Sequence, residues 1–250
     1  MKKLLIAVMM IVLFSSLVIY AQTANAGESL DLGAVGELFK DSENLEKFEQ
    51  SLNDSANGVN NLDLDEDGAV DFIRVNEQSE GDTHLIILQT AVGENDFQDV
   101  ATIAVERENN DYRLQIEGDD ELYGTNYYIV PAEQNFSAWN VVKRIFSPNY
   151  RVYVSPYRYR VYPKWFAVRR EPVAVGVYRG RVGIYTGRRN FVASRTTTVR
   201  TVGKLNYRPN RSSVVVKKRT TTTTVTNPRN GNQRVKETTT VTKTRKGRRN

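Results

Sequence analysis

Charge divides this chain in two, and the division limits where a fold can form. Residues 27–142 carry 5 Lys and Arg against 27 Asp and Glu, a net of −22. Residues 143–250 carry 28 basic residues and only two acids, Glu171 and Glu237, a net of +26. The mild overall charge of +6 hides this dipole. Like charges crowded into one half repel unless a core holds them or the other half neutralises them. The layout predicts an acidic folded domain followed by a basic interaction arm.

The acidic half has the hydrophobic spacing of a domain. Leu45, Phe48 and Leu52 recur at helical intervals after Ser42, a candidate N-cap, and predict a short amphipathic helix over residues 43–53. Leu38 and Phe39 fall in a preceding turn or helix. From Val70 onward the pattern becomes β-like. Residues 72–76, 84–91, 101–107, 112–116 and 127–130 read as strands, with polar turns at 77–82 and 109–111. The run Leu85-Ile86-Ile87-Leu88 is apolar on both faces, as a central strand requires. Trp139, Val142 and Phe146 give residues 137–146 one apolar helical face. The expected class is therefore α+β: a small antiparallel sheet with one or two N-terminal helices, then a basic aromatic-rich extension and a disordered Thr/Arg/Lys tail.

Residues 1–26 read as a signal peptide. Lys2 and Lys3 precede an apolar run over 4–14, and Ala24-Asn25-Ala26 supplies the small residues of a cleavage site. The run is shorter than the roughly 20 residues a spanning helix needs, so cleavage is expected over anchoring. Export places the protein in a periplasm, at an outer membrane or outside the cell. The chain has no Cys and one His, which excludes a disulfide scaffold, a thiol nucleophile and His-rich metal sites.

One motif carries chemistry. Residues 63–71 read D-x-D-x-D-G-x-x-D. Calcium is a hard cation that takes six to eight oxygens, and carboxylates at alternate positions of a tight loop can converge on it. The expected ligands are Asp63, Asp65, Asp67, the carbonyl of Ala69, and Asp71, with Gly68 permitting the turn. An EF-hand has a bidentate Glu at the twelfth position, where this chain has Arg74, and the sequence after the loop is β-like. The loop thus resembles the strand-associated calcium loops of integrin-type and FG-GAP repeats, present once. A structural Ca²⁺ of modest affinity is expected, with a dissociation constant of about 10⁻⁴–10⁻³ M.

In the basic half, residues 143–194 are aromatic-rich and expected to be partly β. Eight aromatics between Phe146 and Phe166 alternate with cations, and Pro148, Pro156 and Pro163 break the segment into short pieces. The alternation of Val173, Val175 and Val177, and the echo of Val177-Tyr178-Arg179-Gly180 in Ile184-Tyr185-Thr186-Gly187, predict a β-hairpin. Residues 195–250 repeat a Thr-Val theme among Arg and Lys and read as a low-complexity tail. Arg151, Arg158, Arg160, Lys164, Arg169 and Arg170 are the candidate polyanion-binding residues. Guanidinium groups suit phosphates and carboxylates, and aromatic rings suit sugars, bases or a membrane interface. The partners this implies are anionic polymers or lipid headgroups of a cell envelope, or extracellular nucleic acid, with no small-molecule cofactor. The competing expectation is that the aromatic tract is a β-extension folded onto the acidic domain, with its charge solvated or paired internally.

The stretches Leu38-Phe39, Asn61 to Asp65 and Gly81 to Ile86, followed by the Arg/Tyr tract, together resemble a family of exported bacterial proteins without an assigned activity. The resemblance spans roughly residues 30–165 and implies export and an α+β domain, with no catalytic residues to transfer. No G-x-S-x-G, P-loop, G-x-G-x-x-G or H-E-x-x-H pattern occurs, and His84 reads as a partly buried strand residue. The expected function is a non-enzymatic exported calcium-binding protein that associates with anionic envelope or matrix material. The alternative is a carbohydrate-active hydrolase using carboxylates of the acidic half.

Overall fold

A computed structural model describes residues 18–23, 26–109, 111–133, 135–199, 205–213, 216–226 and 233–243. The apolar run 4–14 read as an export signal lies outside them. In chain order the elements are β1 (Val18–Thr23), α1 (Leu32–Asp41), α2 (Leu45–Asn53), β2 (Ile73–Glu80), β3 (Thr83–Gly93), β4 (Asp96–Glu108) and β5 (Asp111–Gly118). Then follow α3 (Asp120–Tyr123), β6 (Tyr128–Pro131), α4 (Asn140–Ile145), α5 (Val175–Thr186), β7 (Phe191–Ser194), β8 (Val216–Thr226) and β9 (Gln233–Lys243). The class is α+β. Six antiparallel strands form one sheet in the order β2-β3-β4-β5-β6-β7. The Thr-rich copies in β8 and β9 pair antiparallel, with β1 along the other side of β8. Extended backbone is what β-branched Thr and Val favour.

The period of two assigns the sheet's faces. Ile86, Leu88, Ile103, Val105, Leu114 and Ile116 belong to the main core, with Phe39, Phe48 and Leu52 from the helices. The alternate residues Leu85, Ile87 and Ala104 form a second, smaller cluster, over which Val199, Leu205 and Tyr207 pack. β3 is thus covered on both sides, as its apolar run requires.

The helix of residues 43–53 forms, but its cap differs from the expectation. Asn44 accepts from Lys47 N at 2.9 Å and starts α2. Ser42 instead ends α1: its backbone N–H reaches Phe39 O and its hydroxyl donates to Leu38 O at 2.6 Å. Both residues can cap, and the preceding helix occupies Ser42 first. The turn expected over 77–82 contracts to Gly81 and Asp82, where Gly81 takes the left-handed backbone (φ 59°) that two-residue hairpins favour.

The expected hairpin over 173–187 is the helix α5. The Val alternation imitated a strand, whereas Tyr178 and Val182, four apart, are the residues that become buried. The Tyr178 hydroxyl accepts from Asp31 N at 2.7 Å, at the start of α1, and donates to Val59 O at 2.9 Å. The expected boundary at 142/143 therefore does not separate two bodies, because residues on both sides build one core. Residues 205–213, expected in the tail, also lie on the sheet. Tyr207 OH and Asn210 N both donate to Asp99 Oδ2 at 2.9 Å, and Arg211 Nε donates to Asp119 Oδ2 at 3.0 Å. Their partners are more than 90 positions away, so low local complexity gave no sign of them.

Candidate metal centre and the cationic surface beside it

Between α2 and β2 the chain has no regular structure, and buried side chains hold it. Leu62, Leu64, Val70 and Phe72 point into the protein. Asn60 Nδ2 donates to Asp71 O at 2.7 Å, and Asp71 N donates to Leu62 O at 2.7 Å, closing the base of the loop. The tip turns through two left-handed residues, Glu66 (φ 57°) and Gly68 (φ 88°). The acids also organise the loop's own backbone. Asp63 accepts from Asp67 N and Gly68 N at 3.1 and 3.2 Å, Asp67 accepts from Ala69 N at 2.8 Å, and Asp71 accepts from Leu64 N at 2.7 Å.

This geometry brings carboxylate oxygens of Asp63, Asp65 and Asp67 within 4.8 Å of one another, a group that can hold a metal ion. Asp71 stands outside that trio. It borders, with Asp65, Asp67 and Ala69, a cavity of about 140 Å³ that Tyr159, Arg160, Tyr162 and Phe166 also line. Burial, then the neighbouring carboxylates, raises the pKa of Asp63 and of Asp65. The same two effects, burial foremost, push Asp71 up to about 8.

The cationic candidates divide into two groups. Arg151, Arg158, Arg160, Lys164 and Arg169 are exposed. Arg170 is turned inward: its guanidinium donates to Asn60 O at 2.7 Å and its own carbonyl accepts from Val70 N at 2.7 Å. It braces the acidic loop, and burial lowers its pKa. The exposed group is carried by aromatic packing around Phe72, whose ring lies 5.3 Å from Tyr157, 5.7 Å from Tyr162 and 5.0 Å from Phe166. Residues 158–161 make a tight turn, with Arg160 left-handed (φ 60°) and reciprocal backbone bonds between Arg158 and Val161.

The expectation that the aromatic tract folds back is met at buried acids that the motif reading passed over. Glu77 accepts from Tyr150 OH at 2.6 Å and Tyr153 N at 2.9 Å, and lies 2.6 Å from His84 Nδ1. Glu49 accepts from Val75 N at 2.7 Å and Tyr153 OH at 3.3 Å, and burial raises its pKa. The one sequence sign available was a run of tyrosines, whose hydroxyls need partners when the rings are buried. Some of the opposite charge is paired internally, as Arg188 with Asp41 and Arg179 with Glu28.

No protein-family model, curated protein or solved structure matches the chain. Among the described residues no helix is long and apolar enough to cross a membrane.

Proposed function

We propose that this is an exported, non-enzymatic protein that binds Ca²⁺ in the loop 63–71 and associates with anionic envelope or matrix material through its basic half. The observation that carries the reading is the convergence of Asp63, Asp65 and Asp67 beside a cavity that residues of the cationic tract also line. Oxygen-only donors suit a hard divalent cation. Asp71 and the Ala69 carbonyl would complete the set from the cavity side. Calcium there would fix the segment that delivers α2 into β2, and the exposed cations would be left for an anionic partner.

The test is calorimetric titration of the protein with calcium, with thermal melts, alongside Asp65→Ala. The expected result is one site of about millimolar affinity or somewhat tighter and a calcium-dependent rise in Tm, both lost in the variant. No heat and no Tm change at several millimolar calcium would remove calcium from the reading.

A further inference from the structure

We propose that the face formed by residues 158–169 docks on the surface of an anionic lipid bilayer. This deepens the reading above and rests on its assignment of the basic half as the part that seeks anions. Two observations meet on the same short segment. Arg158, Arg160, Lys164 and Arg169 are exposed and make no ion pair among the described residues, whereas Arg179, Arg188 and Arg211 each reach an acid. Between them, apolar side chains stand in water: Val161 is 47% exposed, Trp165 43% and Val168 50%.

That combination selects among anionic partners. A polyanion dissolved in water engages the guanidinium and ammonium groups but has little use for valines. A bilayer interface takes both, with cations at the phosphates and the indole and aliphatic groups at headgroup depth. Trp is the side chain most at home there, because one end is apolar and the other carries a donor. The segment is also held in place beforehand. Phe72 anchors Tyr157, Tyr162 and Phe166 beneath it, so little ordering remains to oppose docking. Asp65, Asp67 and Asp71 of the acidic loop line one cavity with Arg160 and Val168 of this segment. A cation there reduces the negative charge next to the docking face and strengthens the contact with an anionic surface.

The test is sedimentation of the full chain with vesicles of phosphatidylglycerol and phosphatidylcholine, or of phosphatidylcholine alone, with Trp emission recorded. The variants are the triple change Arg158→Gln, Arg160→Gln, Lys164→Gln, and the pair Val161→Ser, Val168→Ser. Every altered side chain is exposed, and melting curves verify the fold. Comparing variants in one chain cancels whatever residues 1–26 contribute. The expected result is binding to the anionic vesicles alone, a blue shift that Trp165→Phe abolishes, and a weakening of about tenfold or more in the triple variant. The valine pair weakens vesicle binding and leaves binding to a soluble polyphosphate unchanged. Indifference to vesicles with salt-sensitive binding of polyphosphate would overturn lipid docking and leave the underlying reading standing. Binding of neither would overturn both, and vesicle binding unmoved by all the variants would place the contact elsewhere.

Discussion

Tyr150 and His84 hold opposite oxygens of one buried carboxylate. The tyrosine hydroxyl donates to Glu77 Oε2 at 2.6 Å, and the imidazole Nδ1 lies 2.6 Å from Glu77 Oε1. Tyr153 N adds a third bond to Oε2 at 2.9 Å, and Phe146 stacks edge-on to the imidazole at 4.6 Å. A carboxylate in water would lose little by releasing these groups. Buried, it needs all of them, and this is what ties the first turn of the basic half to β2 and β3.

Tyr150→Phe removes one charge-assisted bond and is expected to cost about 1.5–3 kcal/mol. Glu77→Ala strands His84, Tyr150 and the Tyr153 amide together and should cost about 3–5 kcal/mol. Denaturant titration measures both, and limited proteolysis should cut within 147–157 sooner in the Glu77 variant. A Glu77→Ala protein as stable as the parent would show that the clamp contributes nothing.

The acidic loop makes stability depend on pH in a direction opposite to a salt-bridged acid. Asp71 has its pKa pushed up to about 8, by burial first and by Asp65, Asp63 and Asp67 after it, against an ordinary value of 3.8. Between those values the folded chain binds a proton that the unfolded chain has released, so stability falls as pH rises through that window. With a chelator present, Tm should decline from pH 5 toward pH 9, and Asp71→Asn should flatten the decline. Calcium bound as proposed would compete with that proton. Its affinity should therefore increase with pH up to about 8, with proton release measurable as a buffer-dependent heat. A Tm that rises with pH in chelator would contradict the assignment.

Helix α1 and strand β7 approach each other at a residue with no side chain. A Cβ placed on Gly36 would stand 2.6 Å from the Phe191 ring. Gly36→Ala would push that ring away, loosening the Trp139–Phe191 contact at 5.8 Å and the β6–β7 edge. A loss of about 1–3 kcal/mol is expected. Gly36→Ala in a Phe191→Leu background should cost less than in the parent, and a double-mutant cycle reads that coupling.

Much of the acidic domain was legible because its signals are local. The Leu45–Phe48–Leu52 spacing makes α2, a doubly apolar run makes β3, alternation makes β4 and β5, and the D-x-D-x-D-G run makes a loop whose first three acids do converge. What was not legible depends on partners far along the chain. Val173, Val175 and Val177, which run into the first turn of α5, alternate as a strand would, and the helix's buried stripe is only Tyr178 and Val182, too short to outweigh them. Arg170 looked like one more surface cation until Asn60, 110 positions away, supplied its acceptor. The irregularity between Leu88 and Gln89 in the β3–β4 register sets Gln89 opposite Asp99, a pairing that no composition reading contains.

Asp99 gives the sharpest contrast with a tail read as unstructured. It is 1% exposed, and its oxygens accept from Gln89 Nε2 at 2.6 Å and from Tyr207 OH and Asn210 N at 2.9 Å. Through it, residues 205–213 are held against the face of the sheet that carries Leu85, Ile87 and Ala104. Asp99→Ala leaves the buried Gln89 amide and the half-buried Tyr207 hydroxyl without their acceptor, while the exposed Asn210 N–H can turn to water. It should cost about 2 kcal/mol or more, since each orphaned group costs about 1–3 kcal/mol. It should also expose residues 205–213 to protease. Ending the chain after Arg195 should uncover the apolar face altogether, giving dye binding and concentration-dependent aggregation at neutral pH. A truncated protein that stays monomeric, binds no dye and melts like the parent would restore the tail to a dispensable appendage. The Asp99→Ala result would then measure only the donors left unpaired, because the cover they hold would have proved unnecessary.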